Sequence, residues 1–513
     1  MAHRAQPVSA KPGIGAALCV AVLILGSLLA VVLRAEAGRG LGPADWQAVQ
    51  FTVVQALLSA GLSVGLAVPV ARALARRRFR GRRMLITLLG APFILPVIVA
   101  VLGLLEVFGR SGWISQLLGA PVQIYGLHGV VLAHVFFNLP LATRLILQGW
   151  QEIPAERFRL AAQLGAGPRE IRTLLEYPML RRAVPGALAV VFAICLTSFA
   201  VALTLGGGPR ATTIELAIYQ AFRFDFDLGR AALLSCIQIG LTVGAALVAL
   251  RVSSGDGFGA GLDRPVQRWD GQGLGLRVLD GGMIGLATAF LVLPLIAIVL
   301  SGVPGLARLP GSVWNAALWS VMVALASTAI LLLLAVPIAA AIAVGRQRLE
   351  LAGLLGLAAS PLVIGTGLFL MIHPIADPFA FALPVTAVVN AVMALPFALR
   401  ILVPRARQVV AEFGRLGMML DMSGWPFVRF VLLPRMRAQI GFAAGLAAAL
   451  SMGDLGVIAL FADPEVATLP LQIYRLMGAY RMEAAAGGSL LLLVLSMSLF
   501  WIFDRGGRWH AET

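Results

Sequence analysis

The chain has 513 residues, of which 59% are hydrophobic and only 12% charged, and a mean hydropathy of +0.91, a composition that excludes an ordinary soluble globular protein and places the chain in a bilayer. The net charge of +16 does not point to nucleic acid, because the arginines lie in short loops between apolar runs rather than on a soluble basic domain. Lys11 is the only lysine, so no GxxxxGK[ST] phosphate loop exists and the chain cannot bind ATP in that way.

A hydrocarbon core of about 30 Å needs about 20 apolar residues per helix, and backbone groups in lipid must be satisfied within their own segment. The first apolar run, 13–33, follows Arg4 and Lys11 and precedes Ala35-Glu36-Ala37, a pattern shared with cleavable signals. Its length of about 20 residues exceeds a usual signal core, so it is read as a retained span. Further spans are expected at 51–74, 85–107, 128–148, 183–205, 229–250, 282–303, 314–345, 351–372, 381–402, 438–461 and 485–503, twelve in all. The run at 314–345 is long, with a tilt or kink expected at Pro337. Cys19, Cys195 and Cys236 lie within apolar runs without metal or CxxC spacing, and read as small buried hydrophobes with no disulfide framework. No catalytic residue, metal site or cofactor is expected.

Arginines concentrate in alternate loops: Arg76, Arg77, Arg78, Arg80, Arg82 and Arg83 after the second span, then Arg157 to Arg182 after the fourth. The alternation continues through Arg251, Arg264 and Arg268, then Arg346 and Arg348, then Arg405 to Arg437, and ends with Arg505 and Arg508. The positive-inside rule assigns these loops and both termini to the cytoplasm.

An internal repeat organises the chain. Sliding it by 256 residues (415 − 159) lays RLAAQLGAGPREIRTLLEYPMLR over RLGMMLDMSGWPFVRFVLLPRMR. Arg159, Leu160, Leu164, Pro178 and Arg181 then fall on Arg415, Leu416, Leu420, Pro434 and Arg437, and LPLATR (139–144) falls on LPFALR (395–400). APFILP (91–96) and SPLVIG (360–365) look related at a different offset. With an even number of spans per half, the halves are parallel repeats about an axis along the membrane normal, and a pathway between them makes a transporter the natural inference. The expected organisation is a first transmembrane half, 1–250, with its loop at 151–182; a cytoplasmic linker, 251–281; and a second half, 282–513, with its loop at 403–437.

Within the loop, Leu160, Leu164, Ile171, Leu174 and Leu175 recur at helical intervals, which predicts a short amphipathic helix, a break from Gly165 to Pro168, and a second turn leading into the next span. A small-residue pair, then Leu-Gly, then a proline thirteen residues on, resembles the EAA loop of permease subunits of bacterial binding-protein-dependent ABC importers. The residues are Ala161, Ala162, Leu164, Gly165 and Pro178, and in the second copy Leu416, Gly417, Leu420 and Pro434. The resemblance implies an all-α polytopic type I importer permease, here with both transmembrane halves in one chain. It also implies transport without an enzymatic activity of its own, and a bacterial inner membrane location. The implied partners are membrane lipid, an ATP-binding ABC subunit in two copies, and a periplasmic binding protein that delivers a small solute. In the family the short helix docks in a groove of the ATPase subunit, a helix-in-groove contact. The sequence departs from the family at Arg159 and Arg415, where glutamate is usual, and at Asp421, where glycine is usual.

LTLGGGPRATTIELAIYQAFRFDFDLGRAALL (203–234) and LPLQIYRLMGAYRMEAAAG (469–487) resemble the thiamine branch of this family, while ferric iron or another ion remains an alternative cargo. Polar residues within spans are candidates for the translocation path because lipid excludes them: His134, Asn138, Ser198, Asn390 and Asp454. Ser198 and Asp454 share the 256-residue offset, and Asp454 would attract a cation. Each also reads as a hydrogen-bonded interhelical group. A major-facilitator transporter is the main rival, from RFRGRR at 78–83, which lacks that family's aspartate and a second copy. An intramembrane enzyme would need a convergent constellation, and His134 and Ser198 bring no supporting motif.

Overall fold

The computed structural model describes residues 7–35, 40–90, 94–252, 273–461 and 466–508. Among the described residues there is helix and turn and no strand. Ahead of residues 253–272 lie α1 (Lys11–Arg34), α2 (Pro43–Arg76), α3 (Arg82–Leu88), α4 (Val97–Phe108), α5 (Trp113–Leu118) and α6 (Leu127–Gln151). They continue into α7 (Ala155–Gln163), α8 (Pro168–Ile171), α9 (Tyr177–Leu196), α10 (Ala200–Leu205), α11 (Ile214–Arg223) and α12 (Leu228–Val252). The second series is α13 (Leu274–Leu306), α14 (Gly311–Ala343), α15 (Glu350–Ala358), α16 (Pro361–Ile372), α17 (Ala382–Met419) and α18 (Trp425–Phe427). It ends with α19 (Leu433–Arg435), α20 (Arg437–Met452), α21 (Gly456–Leu460), α22 (Leu469–Gly478) and α23 (Met482–Arg508).

Among the described residues, eleven helical stretches are long and apolar enough to cross a membrane, and a twelfth is reached if the pair Gln347–Gly356 and Pro361–Ile372, bent by 88°, counts as one span. The protein is an all-helical multi-pass membrane protein. Four of the expected spans are not single helices. The run at 85–107 divides into α3 and α4, and 351–372 is the bent pair, where Pro361 begins α16 and the Ser360 hydroxyl accepts the Leu362 N–H. The runs at 183–205 and 438–461 break at 197–199 and 453–455, between α9 and α10 and between α20 and α21. Hydropathy stays high across these breaks, so span length alone conceals them. Of the expected linker 251–281, residues 253–272 lie outside the described residues, and α12 and α13 occupy the rest of it up to Val252 and from Leu274. Arg264 and Arg268, Glu36 and Ala37 after the first span, and Ala91 to Phe93 also lie outside them.

The first helix of each series packs on the opposite series. α1 runs along α14 and α16, and α13 runs along α2 and α4 and then along α23. Its crossing with α23 is backbone against backbone: a Cβ on Gly305 would meet Glu483 O at 2.3 Å and Gly487 N at 2.7 Å, so only glycine fits. Leu18, Leu25, Leu29 and Leu33 on the outer side of α1 remain exposed, as a lipid-facing stripe requires. Two hydrogen bonds recur between the series. Ile214 N donates to Thr52 Oγ1 at 2.8 Å, fixing α11 to α2, and Leu469 N donates to Ser320 Oγ at 2.7 Å, fixing α22 to α14.

The arginine-rich segments gather at one end of the bundle. The end of α2 meets Glu176 and the start of α13, Gly424 donates to Pro7 O at 2.9 Å, and Arg407 pairs with Glu350 at 2.5 Å.

Candidate functional site

Two features stand out, one inside the bundle and one at its arginine-rich end. Inside, each helix break is flanked by a polar side chain facing α6 or α17. His134 Nε2 lies 2.7 Å from Ser198 Oγ, and its Nδ1 lies 3.2 Å from Ser59 Oγ. The same positions 256 residues later are Asn390 and Asp454. The Asn390 amide donates to Ser451 Oγ at 3.0 Å and also lies beside the Asp454 carboxylate. Ser198 and Asp454 are thus brought to the two breaks, each against its partner from the preceding long helix. Asn138 sits apart from this pairing: its amide donates to His134 O at 2.9 Å and lies 3.4 Å from Cys195 Sγ.

A helix interrupted inside a membrane leaves carbonyls without intrahelical partners. After α9 these are supplied by amides that the sequence reading did not single out. Gln55 Nε2 donates to Cys195 O at 2.9 Å, and Gln238 Nε2 donates to Leu196 O at 2.9 Å and to Glu215 Oε1 at 3.1 Å. Glu215 is buried on α11 and reaches Ser360 of the other series. The available signal was glutamine and glutamate within apolar runs, the same signal that selected His134. In the second series the break is capped differently: Asp454 Oδ1 accepts the Gly456 N–H at 3.2 Å, and Oδ2 makes no good hydrogen bond among the described residues.

At the arginine-rich end, α7, a turn at 164–167 and α8 form the first loop as expected. Pro154 separates α7 from α6 by ending the hydrogen-bond ladder. Its counterpart at the 256 offset is Val410, and α17 there runs unbroken through Met419. Both loops then pass through a π-helical turn, Arg172–Glu176 and Val428–Leu432, at the same offset. The expected apolar face is divided. Ile171 and its counterpart Phe427 turn into the core, and Leu175 is half-buried, whereas Leu160, Leu164 and Leu174 are exposed. So are their counterparts Leu416, Leu420 and Phe430. Arg159, Ala162, Gly165, Pro178, Arg415 and Asp421 are exposed beside them, Ala161 and Pro434 are half-buried, and Gly417 is buried under the Phe427 ring. Three large apolar side chains exposed at matching positions beside exposed arginines make two equivalent patches suited to a protein partner.

No protein-family model matches the chain. The chain is similar over its whole length to the thiamine transport system permease protein ThiP of Salmonella typhimurium, with 39% identity over 537 aligned residues that cover 100% of both chains. ThiP of Brucella abortus is 38% identical over 532 aligned residues, 99% of this chain and 97% of the relative. ThiP of Escherichia coli is 38% identical over 531, 98% of each. The chain belongs to this permease family.

In the permease, the two loop turns share a backbone conformation despite their different residues. Gly165 has φ +68° and Asp421 has φ +54°. The left-handed region disfavours most side chains by roughly 1–2 kcal/mol, with Asp among the residues that tolerate it. The departure at Asp421 therefore keeps the turn that glycine would give. Asp421→Gly is expected to hold or raise thermal stability by up to about 1 kcal/mol, and Gly165→Val to lower it by about 1–2 kcal/mol. The unfolding midpoints of the two purified variants in detergent check this, and a stabilised Gly165→Val would contradict it.

Proposed function

We propose that this permease is the membrane-spanning component of an ABC importer that carries thiamine into the cytoplasm, driven by a separate ATPase subunit in two copies and supplied by a periplasmic binding protein. The observation that carries the reading is the full-length similarity to thiamine transport system permeases. The chain acts as two transmembrane halves, 1–250 and 282–513, joined by the 251–281 segment, in the bacterial inner membrane with both termini and both loops cytoplasmic. The gathering of arginines at one end supports that orientation.

In this reading Arg159, Leu160, Ala161, Ala162, Leu164, Gly165 and Pro178 form one ATPase-docking loop, and Arg415, Leu416, Gly417, Leu420, Asp421 and Pro434 the other. The exposed leucines enter the ATPase groove, and closure of the two ATPase subunits draws the loops together. The halves then tilt from inward-open to outward-open, a population shift that requires several kcal/mol of differential stabilisation. Ser198 and Asp454, held by His134 and Asn390, face the path between the halves, with Asn138 bracing His134. A helix break is a place where a spanning segment can present polar groups without exposing them to lipid.

Co-purification of the permease with an ABC ATPase subunit, followed by thiamine uptake into proteoliposomes, tests the reading. Uptake that depends on both ATP and the binding protein is expected. Uptake that runs on an ion gradient without ATP would overturn it.

A further inference from the structure

The buried charges at the arginine-rich end form a single cluster. Arg72 Nη2 lies 2.6 Å from Glu176 Oε2, and Arg77 Nε lies 2.8 Å from Asp280 Oδ2. Arg76 lies between them, 3.8 Å from Glu176 and 3.8 Å from Asp280. The side chains of Arg76, Glu176 and Asp280 are 3%, 1% and 5% exposed. Glu176 belongs to the π-helical turn of the first loop, Arg72 and Arg76 to the end of α2 with Arg77 the residue after it, and Asp280 to the start of α13. The cluster therefore ties the first loop to the first helix of the other series.

The fold does not demand these charges. LAVP recurs at 66–69 and 334–337, which sets the register between α2 and α14 at 268 residues (334 − 66). In that register Arg72, Arg76 and Arg77 correspond to Ala340, Val344 and Gly345, and at the loop offset of 256 Glu176 corresponds to Leu432. At these four positions the second series carries no charged residue. A buried ion-pair cluster is often no more stable than the apolar packing that replaces it, so its retention in one series calls for a role other than stability.

α13 supplies that role. At 33 residues it is about 50 Å long, at about 1.5 Å per residue. Midway it lies against α4, where Gly103 meets Pro294 O, and at its far end Gly305 locks against Gly487 of α23 and Arg308 pairs with Glu483. It is held to the first loop at one end and to the last helix of the second series at the other. The second loop makes the reciprocal contact by other means: the Gly424 N–H donates to the carbonyl of Pro7, just ahead of α1, and a Cβ on Gly414 would lie 3.3 Å from the Pro7 ring.

We propose that Arg72, Arg76, Arg77, Glu176 and Asp280 are positioning residues of the transport cycle, an ionic clasp that makes α13 follow the first loop and so delivers that loop's displacement to the opposite half. The proposal rests on the importer function proposed above. The second loop is joined to the segment ahead of α1 through a backbone hydrogen bond, so the ionic clasp governs one loop alone.

The test uses the permease with its ATPase subunit and binding protein in proteoliposomes, comparing thiamine imported per ATP hydrolysed. Asp280→Asn and, separately, Arg77→Gln are expected to retain ATPase co-purification and hydrolysis while the import ratio falls about 5-fold or more. The charge exchange Arg77→Asp with Asp280→Arg is expected to recover at least about half of the lost ratio, since the pair is re-formed in reverse. A ratio within about 2-fold of wild type in both single variants would overturn the clasp. So would uptake and hydrolysis falling in proportion, or an exchange variant without recovery. Absence of ATP-dependent uptake by the wild-type complex would instead remove the importer reading itself.

Discussion

Glu176→Ala is expected to destabilise the purified permease by about 3–5 kcal/mol, because it removes a buried carboxylate from between two arginines and leaves the Arg76 charge in a dry environment. Arg76 is itself almost fully enclosed, so water cannot easily replace the lost oxygen. The same physics sets the control. The graft Arg72→Ala, Arg76→Val and Glu176→Leu installs the residues that stand at Ala340, Val344 and Leu432, removing the charges together. It leaves Arg77 and Asp280 paired. The graft is expected to recover most of the lost stability, since apolar replacement of a whole buried ion pair is often neutral or favourable. Thermal unfolding in detergent, followed by tryptophan fluorescence, measures both. A graft as unstable as Glu176→Ala would show that the second series' residues depend on neighbours the first series lacks.

Asp454→Asn is expected to lower thiamine uptake by about 10-fold or more while leaving ATPase co-purification intact. Thiamine carries a fixed positive charge on its thiazolium ring. Opposite charges about 4 Å apart at an effective dielectric of about 20 attract by about 4 kcal/mol, and a net loss of only about 1.4 kcal/mol is already tenfold. Asn preserves the shape of the side chain and an oxygen for the Gly456 N–H, so the α21 cap survives the change. Ser198→Ala, at the equivalent break, removes no charge and is expected to change uptake by no more than about 5-fold, the effect of one neutral hydrogen bond of about 1 kcal/mol. Uptake by Asp454→Asn equal to wild type would take Asp454 out of the path.

Much of this organisation is legible in the sequence because membrane insertion writes strong signals. Apolar runs of about 20 residues mark the spans, and one offset carries both loops with Leu160, Leu164 and Pro178 on Leu416, Leu420 and Pro434. The breaks at 197–199 and 453–455 were hidden because Thr197 and Ser198, or Gly453 and Asp454, barely dent a run of apolar residues. Asp454 next to a glycine was the local hint, as a cap residue ahead of a new helix. The short helices α11 and α22 were missed for a related reason: Thr213 caps α11 through the Leu216 N–H, yet both segments are too short to register as spans. The ionic cluster was invisible for a different reason. Arg76 and Arg77 read as topological charges, and Asp280 fell in an expected linker, so nothing local paired them with a glutamate a hundred residues away. The face of the loop was half legible, since period alone cannot say which of Leu160, Leu164, Ile171 and Leu174 turns inward.

The two π-helical turns set an angular phase. An extra residue within a turn shifts every following side chain by roughly 100° about the helix axis relative to an uninterrupted α-helix. Arg172–Glu176 and Val428–Leu432 both introduce that shift at the same distance from their loop turns. α9 and α19 therefore leave their loops with the same rotation, although no residue between Gly165 and Pro178 matches its counterpart between Asp421 and Pro434; in the second series a turn at Met436 then separates α19 from α20. The symmetry between the repeats survives as a shared rotation where it has been lost from the residues, so a one-residue deletion in either π-helical turn would put the helix that follows it out of step with its twin.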